Sequence, residues 1–100
     1  MRQIKAQAVC GFGVGSSTLL KMKLEQAFKA NQIDASVFAG DVGTAASTEC
    51  DVIFTSEELA ETLKNRAKVP VIVIKSFVNK VEIEEKAMAF VKEFEKGGDV

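Results

Sequence analysis

The sequence contains no histidine, only two cysteines and no large excess of either charge. Without histidine, the chain cannot form a serine–histidine or cysteine–histidine catalytic pair, or a zinc site with imidazole ligands. The cysteines, Cys10 and Cys50, are forty positions apart, and neither belongs to a Cys-x-x-Cys pair. Zinc ribbons and thioredoxin-type redox sites are therefore excluded as well. Any nucleophile in this chain must be activated without a histidine.

Charge and hydropathy narrow the class of protein further. Lys+Arg 13 against Asp+Glu 14 gives a net charge of -1, so no basic surplus exists to bind a nucleic-acid backbone. The apolar run near the start is too short for a membrane span or a secretion signal. We therefore expect no direct membrane insertion and a cytoplasmic location, where thiols stay reduced. The 100 residues, 47% of them hydrophobic, predict one globular domain over 1–100.

Periodicity predicts an alternating α/β chain. Apolar segments predict four β-strands, which span residues 4–10, 33–40, 51–55 and 69–74. Apolar residues at helical spacing predict three helices, over residues 17–31, 55–67 and 82–96. Crossovers of this length predict a three-layer α/β fold with an open four-stranded parallel sheet and helices on both faces.

Local signals add three expectations. The unbroken β-branched run Val69–Ile74 predicts a strand buried on both faces. Pro70, which cannot donate a hydrogen bond, should stand at the start of that strand or on a sheet edge. Thr55 and Glu58 have the spacing of a capping box at the start of the second helix.

The chemistry concentrates in one segment that follows the first strand, which we call the glycine-serine segment (residues 10–17). It begins at Cys10 and continues with Gly11, Phe12, Gly13, Val14, Gly15, Ser16 and Ser17. Three glycines allow successive amides to converge on an anion, and the following helix N-terminus adds partial positive charge. The two serines add hydroxyl donors. The segment therefore predicts a phosphate-binding loop at the edge of the sheet where α/β folds bind ligands.

The position of Cys10 at the start of this segment predicts a nucleophile. The same amide field that binds phosphate favours a thiolate over a thiol. We therefore expect Cys10 to accept a phosphoryl group, with residues 11–17 holding it and with no metal or cofactor needed.

Other phosphate motifs fit less well. A dinucleotide fingerprint would have glycine where Ser16 stands, and a P-loop would need a Lys-Ser/Thr pair. A phosphatase loop would place arginine at position 16, so serine there favours holding a phosphoryl group over hydrolysing it. A response-regulator site would need an acidic pocket that Asp41 and Asp51 do not supply. A low-molecular-weight phosphatase-like enzyme and a non-catalytic phosphate-binding module remain open.

The run from Cys10 to Leu24, CGFGVGSSTLLKMKL, resembles the active-site loop and first helix of ascorbate-type enzyme IIB of the bacterial sugar phosphotransferase system. Chain length, strand order and the segment Asp41-Val42-Gly43 fit the same family. The resemblance implies a flavodoxin- or phosphatase-like sheet of order 2-1-3-4. It also implies that Cys10 takes a phosphoryl group from a phosphohistidine of enzyme IIA. The phosphocysteine would then pass that group to a sugar, L-ascorbate in this branch, bound in membrane enzyme IIC.

The remaining candidate residues receive simpler interpretations. Cys50 precedes the third strand, so it should lie at the opposite end of the sheet from Cys10, about 15 Å away, as a structural residue. Phe12 and Val14 either pack beneath the loop or stay exposed to meet a partner. Four polar residues should border the same sheet edge as Cys10: Asp41, Thr55, Ser56 and Ser76. Two lysines of the first helix are expected on a solvated face or at a IIA docking surface, namely Lys21 and Lys23.

Overall fold

The computed structural model describes residues 3–9 and 14–98, with side chains for 3–9 and 18–94. The elements follow in the order β1 (Ile4–Val9), α1 (Val14–Ala30), β2 (Ala35–Gly40), a 3-10 turn (Ala45–Ser47), β3 (Val52–Thr55), α2 (Glu57–Arg66), β4 (Val71–Val73) and α3 (Lys80–Gly98). The four strands form one parallel sheet of order β2-β1-β3-β4. The predicted fold class and strand order are confirmed.

Two hydrophobic cores cover the two faces of the sheet. On one face, α1 and α3 pack against residues of β1 and β3 such as Ala6 and Phe54. On the other face, Leu63 of α2 and Ala45 of the 3-10 turn pack on Val9 and Ile53. Residues that alternate along β1 and β3 thus serve opposite cores, which makes these two strands the buried centre of the sheet.

The first helix begins earlier than the sequence predicts. Residues 14–17, expected in the loop, form the first turn of α1, which starts at Val14. The prediction was wrong because glycine and serine were taken as loop residues, although both are tolerated in a first helical turn. Residues 10–13 of the glycine-serine segment lie outside the described part of the chain.

The predicted capping box of α2 is wrong. Thr55 is the last residue of β3, where it pairs with Val9 on one side and Val73 on the other. Ser56 is the N-cap residue instead, in an extended conformation and without a side-chain capping bond. Pairing with two neighbouring strands holds Thr55 in the sheet and moves the helix start one residue on.

The fourth strand is an edge strand, so its predicted burial on both faces is wrong. All three residues of β4 are only half-buried, whereas all four residues of β3 are buried. The β-branched run of β4 reflects strand propensity more than depth in the core. Pro70 directly precedes this edge strand, as predicted, and its carbonyl accepts a hydrogen bond from Ile53 N at 3.0 Å.

Candidate functional site

The carboxyl ends of the strands form one row of residues. Val9 of β1 pairs with Gly40 of β2 and with Thr55 of β3, and Thr55 pairs with Val73 of β4. Strand order reverses at β1, which has β2 on one side and β3 on the other. Ligands of open α/β sheets bind at this kind of position. Cys10, the residue bonded to Val9, lies outside the described residues, so its placement stays a prediction tied to the end of β1.

The first turn of α1 presents a positive end to this edge. Its first amides, from Val14 onward, have no intrahelical acceptor. No acidic residue stands in that first turn, whereas the first turn of α2 carries Glu57 and Glu58. Carboxylates at a helix N-terminus offset its positive potential. Of these two helices, α1 therefore keeps its N-terminal potential available for an external anion.

Asp41 borders the edge but is engaged by its own turn. Its carboxylate accepts hydrogen bonds from Thr44 N at 3.0 Å and from Thr44 Oγ1 at 3.1 Å. Its carbonyl accepts from Ala45 N at 2.9 Å. The residue thus closes the turn that follows β2, which is a structural use of its charge.

Thr55 and Ser56 lie at the same edge, and both are buried. Thr55 is 0% exposed and Ser56 is 8% exposed. Among the described residues, neither hydroxyl oxygen has a hydrogen-bond partner. Sequence reasoning placed these residues at the edge but gave Thr55 a capping role. No pattern in the sequence signals that their hydroxyls lack partners.

A carboxylate fixes the loop that follows β4. Glu82 accepts hydrogen bonds from Lys75 N at 2.7 Å and from Ser76 N at 3.0 Å. Lys86 Nζ adds a third at 2.8 Å and also donates to Val73 O. Burial raises the pKa of Glu82, but the hydrogen bonds from Lys86 and the two amides outweigh it, so its pKa lies below the usual value. Ser76 is thereby held at the edge through its backbone.

This loop and the start of α2 enclose a cleft of about 420 Å³ beside the row of strand ends. Ser56 and Glu58 line one side, and Lys75 and Phe77 line the other. Val78, on the same loop, is 72% exposed. This side of the sheet edge therefore carries both a cleft and an exposed apolar side chain.

Cys50 lies at the other end of the sheet from the row of strand ends, and its predicted distance from Cys10 involves a residue outside the described part of the chain. It precedes β3, whose first residue, Val52, pairs with Ala6 near the start of β1. It is a free, half-buried thiol that accepts a hydrogen bond from Gln7 Nε2 at 3.6 Å. Burial raises its pKa, against smaller lowering contributions from the hydrogen bonds of Gln7 and Val52. A thiol in this state is a poor nucleophile, which fits a structural residue.

The buried amide of Gln7 is a feature that sequence reasoning did not use. It is 0% exposed, and its Nε2 donates to Ala45 O at 3.2 Å. A Cβ on Gly40 would lie 1.8 Å from its Oε1, so any larger residue at position 40 would displace the Gln7 side chain. The sequence signal for this feature is a polar glutamine within the apolar run of β1. Gln7 joins β1 to the 3-10 turn.

The described residues lack both a membrane-spanning helix and a cluster of metal ligands. No helix within residues 3–9 and 14–98 is both long and apolar enough to cross a membrane. In that same part of the chain, no three His, Cys, Asp or Glu side chains are grouped to hold a metal ion.

Comparison with known proteins settles the family. The family model described as "PTS system, Lactose/Cellobiose specific IIB subunit" matches residues 5–88. The chain belongs to this family. As a IIB subunit of the sugar phosphotransferase system, it is a phosphotransferase of sugar transport.

Relatives and solved structures agree with this assignment. Ascorbate-specific PTS system EIIB components of Salmonella choleraesuis and Escherichia coli O157:H7 are each 28% identical over 92 residues, covering 90% of this chain and 91% of theirs. The lactose-specific IIB domain of Streptococcus pneumoniae superposes with a TM-score of 0.66 at 17% identity, covering 92% of this chain and 97% of that one. A low-molecular-weight phosphotyrosine phosphatase of Vibrio cholerae superposes with a TM-score of 0.58 at 10% identity, covering 97% and 99%. These two structures share the fold of this IIB subunit.

Proposed function

We propose that this IIB subunit carries a phosphoryl group on Cys10, which it receives from a phosphohistidine of enzyme IIA and delivers to a sugar bound in membrane enzyme IIC. One observation carries the proposal. Cys10 is bonded to the last residue of β1, at the strand-order reversal, and the chain then enters α1, whose first turn has no acidic residue. A thiolate and a phosphoryl group are both anions that such a position stabilises.

The first transfer exchanges one bond for another. As the Cys10 sulfur attacks phosphorus, the S–P bond forms and the N–P bond of the phosphohistidine breaks. The proton that the thiol gives up ends on the imidazole nitrogen of the donor. Negative charge on the three phosphoryl oxygens is stabilised by amides of the glycine-serine segment, including those of the first turn of α1, and by the hydroxyls of Ser16 and Ser17.

The second transfer reverses these roles. A hydroxyl of the sugar attacks phosphorus, the S–P bond breaks, and the hydroxyl proton ends on the sulfur. The thiol is then ready for another cycle. Because both partners must reach the same sulfur in turn, the site must stay open at the sheet edge. The uncovered cleft and the exposed Val78 on one side of that edge support this requirement.

We propose L-ascorbate as the sugar. The four curated relatives with significant similarity are named as ascorbate-specific components, and their similarity covers 90% of this chain. Such a relay works in the cytoplasm, where thiols are kept reduced, and we propose that compartment for this chain.

The proposal is tested by combining this chain with phosphoenolpyruvate, the general phosphotransferase proteins and an ascorbate-type IIA. The wild-type chain and Cys50→Ala should gain one phosphoryl group by intact-mass measurement, and Cys10→Ser should gain none. Vesicles containing an ascorbate-type IIC should then release phosphorylated ascorbate and not phosphorylated lactose or galactitol. Labelling of Cys10→Ser would contradict the proposed carrier, and release of a different sugar phosphate would contradict the substrate alone.

Phosphatase activity and simple phosphate binding are the alternatives. The likeness to a phosphotyrosine phosphatase concerns the fold, and Ser16 stands where a phosphatase loop would have arginine. We expect the wild-type chain to leave an aryl phosphate unhydrolysed. A non-catalytic phosphate-binding module would retain its ligand in Cys10→Ser and would never carry a covalent phosphoryl group.

A further inference from the structure

Exposed apolar side chains are concentrated between β4 and the first turn of α3. Of the residues whose side chains the structure describes, three large hydrophobic ones are exposed: Met22, Val78 and Val81. Val78 and Val81 are the most exposed of the three, at 72% and 63%. The neighbouring Phe77 packs instead against the core that contains α1 and α3. Two valines left in water on a segment that is otherwise anchored in the core are typical of a protein contact site.

Hydrogen bonds hold this segment in one conformation. The Glu82 carboxylate accepts from Lys75 N at 2.7 Å and from Ser76 N at 3.0 Å. Asn79 N donates to Ser76 O at 3.2 Å, and Asn79 Oδ1 accepts from Glu82 N at 3.1 Å. The valines are thus carried by a preformed surface. Such a surface loses little conformational entropy when a partner binds.

The segment lies close to the row of strand ends. Val73, the last residue of β4, pairs with Thr55, and Thr55 pairs with Val9. Because neighbouring strands are about 4.8 Å apart, Val73 is about 10 Å from Val9. A protein interface of ordinary size covers a surface about 30 Å across. One partner can therefore cover both this segment and the end of β1, which Cys10 follows in the sequence.

Charge favours a negatively charged partner on this side of the cleft. Lys75 and Lys80 are exposed, and residues 75–81 contain no acidic residue. The opposite side of the cleft, at the start of α2, carries Glu57 and Glu58. Surfaces of opposite sign on the two sides orient a charged partner as it approaches. A donor that carries a phosphoryl group brings negative charge, which the two lysines attract.

We propose that phosphorylated enzyme IIA docks on the surface formed by Lys75, Val78, Lys80 and Val81, which we call the valine–lysine patch. This inference rests on the proposed function and adds the place where the donor binds. The valines supply apolar contact, and the lysines attract the charged donor. Charge favours IIA over IIC as the occupant, because the phosphoryl group is on the partner when IIA approaches and on this chain when IIC approaches.

The test measures the initial rate of phosphoryl transfer to this chain at increasing concentrations of phosphorylated IIA. One double variant, Val78→Ser with Val81→Ser, removes the apolar contact, and another, Lys75→Gln with Lys80→Gln, removes the charge. We expect KM for phosphorylated IIA to rise at least about fivefold in each, with kcat within about twofold of wild type, because docking changes and the chemistry does not. Melting temperatures close to that of wild type would show that the fold is retained. Val78→Ser alone makes the same measurement if the double valine variant does not fold.

Salt dependence and a matched control test the contribution of charge. Added sodium chloride should lower kcat/KM of the wild type and affect the Lys75→Gln, Lys80→Gln variant less, because salt screens exposed charges. Lys29→Gln with Lys68→Gln is the control, since it removes two exposed lysines that precede β2 and β4, at the opposite end of the sheet. Its KM and salt response should equal those of the wild type. A rise in KM of the same size in the control would overturn the assignment to the patch.

The outcomes separate this inference from the proposed function. If the wild type is never phosphorylated, the carrier function fails, and this inference fails with it. If the wild type is phosphorylated and either double variant keeps the wild-type KM, the docking surface alone is overturned. Variants that accept the phosphoryl group normally but release less sugar phosphate from vesicles containing IIC would assign the patch to IIC and overturn the docking of IIA.

Discussion

At the scale of single residues, a buried amide and a glycine determine how the 3-10 turn meets the sheet. Gln7 fills the space beside Gly40 and binds Ala45 O, so it joins β1 to the connection after β2. Polar groups in a core are retained when they are hydrogen-bonded, and they then fix one arrangement of the chain. Gly40 is therefore needed for packing.

Replacing Gly40 by alanine should destabilise the protein. The new Cβ would lie 1.8 Å from Gln7 Oε1, which forces a fully buried side chain to move. Overpacking of this kind costs about 1–3 kcal/mol. Chemical denaturation of Gly40→Ala measures this loss. Gly43→Ala is the control, because its Cβ would approach only Asp41 Oδ1, at 3.2 Å in an exposed turn.

A double-mutant cycle locates the cause of the Gly40→Ala effect. Gln7→Ala removes the group that the new methyl would meet, so the combined variant should be more stable than the sum of the two single losses implies. Strict additivity of the two losses would show that the clash is not the cause.

At the scale of elements, two features border the candidate site. One is the N-terminus of α1, and the other is the β4–α3 loop, which the hydrogen bonds of Glu82 hold in place. The first turn of α1 has no acidic residue, and Ser16 occupies its third position. A carboxylate at that position would stabilise the helix N-terminus but repel the thiolate or phosphoryl group beside it. A single substitution should therefore raise the stability of the fold and lower the rate of phosphoryl transfer.

Ser16→Asp should stabilise the fold and slow the chemistry. The new carboxylate interacts favourably with the helix N-terminus, by about 0.3–1 kcal/mol. It repels the thiolate and the incoming phosphoryl group, so phosphorylation should slow by roughly tenfold relative to Ser16→Ala, which removes only the hydroxyl. Thermal unfolding and transfer kinetics on the same samples check both effects. Equal rates in the two variants would mean that the end of α1 does not act on the reacting group.

Glu82 makes the loop after β4 sensitive to acid. Because its folded-state pKa is lowered, its contribution to stability is present above the unfolded value of 4.5 and is lost as pH falls through the folded value. At pH 7, Glu82→Gln should cost about 1–2 kcal/mol through weakened bonds to Lys75 N and Ser76 N. The difference from wild type should shrink near pH 3.

Denaturation at the two pH values measures the Glu82 effect. Glu85→Gln is the matched control, because Glu85 is an exposed residue of the same helix, three positions after Glu82, and its carboxylate has no hydrogen-bond partner among the described residues. A pH-independent difference for Glu82→Gln would rule out the charge of Glu82 as its origin.

At the scale of the whole molecule, the sequence predicted the architecture and the edge of the sheet better than the details of that edge. Alternating periodicities suffice for strand number, helix number and layer order, because they reflect which faces are buried. These periodicities fail where the pairing of strands decides where an element ends and how deeply it is buried. Sheet pairing kept Thr55 in β3, and the edge position left Val71–Val73 half-buried.

The candidate site shows the same division. A cysteine before a glycine-rich turn and a helix is a local pattern, so the sequence could nominate Cys10. Other features of the edge arise because residues from separate elements meet there. They are the buried hydroxyls of Thr55 and Ser56, which lack partners, and the hydrogen bonds from Lys75 N and Ser76 N to Glu82. No local pattern encodes such meetings.

The phosphorus NMR spectrum of the chain after phosphorylation by IIA tests the central claim most directly. An S–P bond and an N–P bond give distinct resonances, so the spectrum identifies the atom that carries the group. The account predicts a single S–P resonance in wild type and in Cys50→Ala, and none in Cys10→Ser. A phosphorylated wild-type chain without an S–P resonance, or an S–P resonance that persists in Cys10→Ser, would contradict it.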